Sequence, residues 1–152
     1  MGARKHRRLS GFTIVELMVT LAIIGILASL AIPRYSDYLR RASLPEAFSR
    51  LGDLRIKLEQ FYQSNRSYGT GACGNDGSSN TIDFAANANK FAITCQLTGT
   101  SAVDQAYLLT ATGSGLVAGH VYTLDSSNNK RTLSFKGKTS TAACWLVKGD
   151  EC

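Results

Sequence analysis

Apolar residues run almost unbroken from position 12 to position 32, FTIVELMVTLAIIGILASLAI, with Glu16 the one charge among 21 residues. A helix formed there has no polar face, so it needs lipid or other helices around it. At 1.5 Å per residue it would be ~32 Å long, enough to cross a hydrocarbon core of about 30 Å. Pro33 closes the run. Lacking an N–H, it removes the bond to the carbonyl of Ser29, which predicts a kink or weakening there, with Gly25 adding flexibility.

The pattern then changes. Ser43-Leu44-Pro45-Glu46 has the form of a capping box with proline in the first turn, which predicts that the helix restarts or bends there. Leu44, Phe48, Leu51, Leu54, Leu58, Phe61 and Tyr62 recur at helical spacing. Glu46 with Arg50 and Asp53 with Lys57 stand four apart on the wetter faces. This half is amphipathic, and its stripe is expected to pack against a globular head. Residues 63–90 are rich in Gly, Ser and Asn without sustained period, and read as a long loop. Strand character follows at residues 91–97, 107–112, 121–125 and 131–135, with a polar turn at 126–130 and Gly113-Ser114-Gly115 ending one segment. Residues 144–147 are expected to form a last short strand. A long helix followed by an antiparallel sheet places the chain in the α+β class.

Charge sharpens the division. Arg4, Lys5, Arg7 and Arg8 supply +4 of the formal +6, leaving 13 basic against 11 acidic residues in the remainder. The high isoelectric point therefore belongs mainly to the first residues and does not by itself indicate nucleic-acid binding. Cys73, Cys95, Cys144 and Cys152 all lie in the C-terminal half. An even number with no CxxC pair suggests disulfides rather than zinc, and hence an oxidising compartment. Four cysteines allow three connectivities. Sequence proximity favours Cys73 with Cys95 and Cys144 with Cys152, worth ~3.4 and ~2.6 kcal/mol in the chain-entropy model.

The basic leader is expected to stay cytoplasmic and place the rest of the chain outside, although Arg34, Arg40 and Arg41 pull the other way. A secretory signal has a shorter apolar run that ends at its cleavage site. Here the small residue, Gly11, precedes the run, so a cut there would remove the charges and leave the apolar helix at a new terminus. Glu16 is costly inside a membrane, roughly 2.5 to 3.5 kcal/mol on insertion scales for the related Asp. A cut after Gly11 would give it a partner, because the amine of Phe12 would lie within one helical turn, and a neighbouring subunit's amine could serve equally.

Gly11-Phe12-Thr13-Ile14-Val15-Glu16-Leu17, with a basic leader before it and the apolar run after it, resembles the class III signal of type IV prepilins. The resemblance implies that a membrane-embedded peptidase cuts after Gly11 and methylates the amine of Phe12, and that Thr13, Glu16 and Pro33 belong to the assembly region. It implies a leader at 1–11, a membrane and assembly helix at 12–33, and a periplasmic, later extracellular, head at 34–152 closed by the C-terminal disulfide loop. It further implies a structural filament subunit serving adhesion, twitching motility or DNA uptake. Its partners would be copies of itself, the prepilin peptidase, the assembly platform and the inner membrane before assembly, with surfaces or host receptors as further candidates. Two alternatives stand beside it: a minor pilin whose head binds a ligand or DNA, and a type II secretion pseudopilin. The major pseudopilin usually has a calcium site where this chain has cysteines, which argues against the second.

Catalytic chemistry finds little support. His6 would leave with the leader, and His120 stands alone between Gly119 and Val121. His120 is therefore expected to be a surface or turn residue, and no catalytic residue, metal ligand or cofactor is assigned. Gly74-Asn75-Asp76-Gly77 has too few acids for a calcium loop and is expected to be a turn. Lys130, Arg131, Lys136, Lys138 and Lys148 share a stretch without an acid. They suit DNA phosphates, but a solvated sheet edge, where lysines discourage unwanted pairing, is the favoured reading.

Overall fold

The computed structural model describes residues 11–77, 81–85, 89–99 and 105–152. The chain divides into two units, Met1–Tyr38 and Leu39–Cys152. One helix, α1 (Ile14–Asn65), supplies nearly all the described residues of the first unit and the opening element of the second.

α1 contains both prolines, and its helical backbone continues through each. The helix does not restart at residue 43. Ser43 is buried, its hydroxyl donates to the Leu39 carbonyl four residues back at 2.9 Å, and it accepts from Lys90 Nζ at 2.9 Å. A cap signal is local, whereas Leu44 and Ala47 on either side of Pro45 are fully buried. Tertiary packing keeps this stretch helical at the cost of one backbone bond.

In the second unit the strands are β1 (Phe91–Thr98), β2 (Ala106–Gly113), β3 (Val121–Asp125), β4 (Lys130–Phe135) and β5 (Lys138–Thr139), with a short 3-10 turn at Gly115–Val117. They form one antiparallel sheet in sequence order. Phe91 faces Gly113, Ile93 faces Ala111 and Cys95 faces Leu109, while Ala111 in turn faces Tyr122 and Leu109 faces Leu124. Alternation along the strands thus puts Phe91, Ile93, Leu109, Ala111, Tyr122 and Leu124 into one core. From α1, Leu44, Ala47, Leu51, Leu54 and Leu58 join the same core.

Two elements at the C-terminal edge differ from the sequence pattern. β5 arises because Lys136 (φ 53°) and Gly137 (φ 79°) both take the left-handed conformation, the two-residue hairpin geometry that returns the chain onto β4. Residues 144–147, expected as a strand, have no ladder of their own. Thr132 replaces it: its hydroxyl donates to the Cys144 carbonyl at 2.6 Å and accepts from the Leu146 N–H at 3.0 Å. Trp145 is stacked on Phe48, with ring centroids 4.9 Å apart, and its indole N–H donates to the Thr123 carbonyl at 2.9 Å.

Cys73 is joined to Cys95 and Cys144 to Cys152, over sequence separations of 22 and 8. The first bridge ties the loop after α1 to β1, and the second closes the C-terminal segment.

Candidate assembly helix and head surface

Thr13 is the N-cap of α1. Its hydroxyl accepts from the Glu16 N–H at 3.2 Å and its carbonyl accepts from the Leu17 N–H at 3.2 Å. Glu16 therefore falls in the first turn, where the helix dipole favours a negative charge. Phe12 directly precedes the cap and Gly11 precedes Phe12, so Gly11, Phe12, Thr13 and Glu16 all lie within one turn of the helix start. Pro33 lies far along the same helix. Thr13's capping role was not read from the sequence, although Thr followed three residues later by Glu is a signal that could have shown it.

From Phe12, 74% exposed, and Ile14, 80% exposed, to Ile32, large apolar side chains stand open on every side of the helix. The hydroxyls in this run are satisfied locally, with Thr20 donating to the Leu17 carbonyl at 2.8 Å and Ser29 to that of Ile26 at 2.7 Å. The charge of Glu16 is what remains for a partner to meet.

In the head, Lys130 and Arg131 open β4, Lys136 forms the β4–β5 turn, Lys138 lies on β5 and Lys148 in the C-terminal loop, all exposed. Lys130 Nζ sits 4.8 Å from the Trp145 ring centre. A cleft of about 370 Å³ is lined by Asn128, Asn129, Lys130, Arg131 and Ala143. The basic run meets acids at its end, since Lys148 is bridged through backbone to Glu151 and Asp150 lies between them.

His120 is fully buried, contrary to the surface position expected for it. It does follow a turn, but its ring lies edge-on to Phe135 at 5.0 Å and its Nδ1 is 2.9 Å from the Val117 carbonyl, so Nδ1 carries the donated proton. Nε2 is buried with no hydrogen-bond partner. Burial pushes its pKa down, with Arg40 and Lys136 adding to the effect and carbonyls of Val117 and Ala118 opposing it. The close approach that encloses it requires glycine at position 119: at φ 80° a Cβ there would lie 2.6 Å from the Gly137 nitrogen.

Glu59 accepts from the hydroxyls of Tyr68 at 3.2 Å and Tyr107 at 3.0 Å, and burial, then that bond, raises the Tyr107 pKa. Asn75 organises the turn at 74–77 by accepting from the Gly77 N–H at 2.9 Å. Among the described residues, no three His, Cys, Asp or Glu side chains converge as a metal ion would need.

Residues 6–32 match the prokaryotic N-terminal methylation motif, and residues 33–121 match the family described as type IV minor pilin ComP, DNA uptake sequence receptor. This chain belongs to the type IV pilins. A type IV major fimbrial protein FimA of Dichelobacter nodosus is 32% identical over 138 residues, covering 88% of the chain and 86% of that relative. A fimbrial protein of Moraxella nonliquefaciens is 41% identical over 74 residues, and fimbrial protein EcpC of Eikenella corrodens 46% over 52. These two matches span 46% and 34% of the relatives' own lengths, less than half of either. The helix, the five-stranded sheet and the disulfides make this pilin an α+β protein of the pilin fold.

Proposed function

We propose that this pilin is a non-enzymatic structural subunit, cut after Gly11, methylated at the amine of Phe12 and polymerised through residues 12–33. Before assembly that segment would hold it in the inner membrane as a single span, with residues 34–152 on the periplasmic side. The observation that carries the reading is the all-round exposure of apolar side chains from Phe12 to Ile32 with one acid in the first turn. Buried against other helices, each large apolar side chain gains roughly 1.5 to 3 kcal/mol relative to water. Lipid offers a similar gain, so burial alone does not select a filament register. Glu16 does: a subunit whose acid fails to meet a neighbour's Phe12 amine leaves a charge unpaired in an apolar core. Glu16→Ala should leave leader cleavage intact and abolish or sharply reduce filaments. Normal filaments from that variant would remove Glu16 from the mechanism.

A second reading concerns the head. The family matched over residues 33–121 is described as a DNA uptake sequence receptor, and the β4–β5 edge offers Arg131, Lys138 and Lys148 beside Lys130 and Lys136. We infer that this edge contacts DNA phosphates in a pilin present at low copy number. Purified full-length pilin should bind duplex DNA with an affinity that falls as salt rises. Arg131→Gln and Lys138→Gln should each reduce the salt slope by about one. A slope unchanged in both variants would leave these residues as a solvated sheet edge.

A further inference from the structure

Directly beyond the apolar run, α1 presents Arg34, Tyr35 and Tyr38, all exposed, with the tyrosines 64% and 61% open. At 100° per residue these positions fall on one arc about 100° wide, since Arg34 and Tyr38 are four apart and Tyr35 and Tyr38 three. Counting from Ile32, the arc begins ~3 Å and ends ~9 Å past the last apolar residue. The polar layer of a bilayer occupies about 5 to 7 Å on each side of the hydrocarbon core. Arg34 and Tyr35 therefore fall inside that layer whenever residues 12–32 fill the core, and Tyr38 falls about 2 Å beyond its outer edge, a gap its side chain, tilted toward the helix N-terminus, can span. The chemistry of the patch fits as well: a tyrosine has an apolar ring and a wet hydroxyl, and a guanidinium matches a phosphate in bidentate fashion.

We propose that Arg34, Tyr35 and Tyr38 form an interfacial anchor that binds the phosphate-bearing headgroup layer on the outer side of the membrane and fixes the depth of the unassembled subunit. The proposal rests on the reading of residues 12–33 as a membrane span. Fixing the depth has a consequence for assembly, because it holds the first turn of α1, with Phe12 and Glu16, at one level for every waiting subunit. Register selection by Glu16 then starts from subunits already aligned along the membrane normal. Leaving the membrane requires releasing the tyrosines and the arginine together.

The test places single tryptophans in the full-length pilin, reconstituted in phosphatidylcholine and phosphatidylglycerol vesicles with bromine at defined depths in the acyl chains. The native Trp145 signal of the unsubstituted chain gives the baseline. Tyr35→Trp should lose most emission to bromine near the glycerol end of the chain, and Leu21→Trp most to bromine near the chain terminus. If Leu21→Trp is quenched at depth while Tyr35→Trp is not quenched at all, the anchor is refuted and the span survives. If Tyr35→Trp is quenched as deeply as Leu21→Trp, the anchor is refuted too, because the patch then lies in the hydrocarbon. Absence of quenching at Leu21→Trp would refute the span and the anchor together.

Discussion

The two halves of α1 are one continuous helix in hydrogen bonding and two different objects in environment. In the first, Val15, Met18, Leu21, Ile24, Leu27 and Leu30 point in all directions and all are exposed. In the second, Leu44, Ala47, Leu51, Leu54 and Leu58 lie on one stripe and are buried against the sheet, while Asp53, Lys57 and Gln60 face water. Each half contains poor helix formers, Gly25 and a run of Ile and Val in the first and Pro45 and Gly52 in the second, so propensity does not separate them. The angular distribution of apolar residues does. A stripe can be covered by the chain's own sheet, whereas a full circumference needs lipid or many neighbours.

The comparison is sharpened most by truncating one leucine in each half. Leu51→Ala in the buried stripe should lower head stability by about 2 to 5 kcal/mol, read by thermal or urea unfolding of the detergent-solubilised pilin. Leu21→Ala should leave that transition unchanged, because its side chain is exposed and takes no part in the core of the head. Equal effects would mean that the two halves are not energetically distinct. The next effect in size is the bridge between Cys73 and Cys95. Replacing both with serine should cost about 3.4 kcal/mol in the chain-entropy model and leave the behaviour of the apolar half in detergent unaltered. The double replacement at Cys144 and Cys152 should cost less, about 2.6 kcal/mol by the same model.

The smallest effect is one of pH, again confined to the head. His120 has its folded-state pKa below the ordinary value of 6.5, so between the two values the unfolded chain binds more protons than the folded one. Head stability is then highest above pH 6.5 and declines as the pH falls below it. His120→Asn should flatten that limb of a melting-temperature profile, and an identical limb in the variant would assign the decline to other groups.

The same contrast explains what was legible in the sequence. The apolar run at 12–32 and the stripe from Leu44 to Phe61 could be read because a helix's environment is written in its own periodicity. Four strands could be read within a residue of their ends, because alternation and turn residues are also local. What failed depended on partners distant in sequence. Residues 144–147 have strand composition, but the Thr132 hydroxyl takes the place of a ladder. Ser43 resembles a cap, but Leu44 and Ala47 are held in the core. His120 resembles a surface turn residue until Phe135 covers it from β4. In the assembly region the motif was legible, while Thr13's role as N-cap emerged only from its hydrogen bonds to Glu16 and Leu17.

The central claim is that the apolar half of α1 becomes the free N-terminus of a processed pilin. It is tested most directly by the intact mass and N-terminal sequence of the protein recovered from cells that contain a prepilin peptidase. The account predicts a chain that begins at Phe12, carries one additional methyl group and lacks two hydrogens for each disulfide. An unmodified chain that still begins at Met1 in those cells would contradict it, leaving Glu16 with no amine to meet.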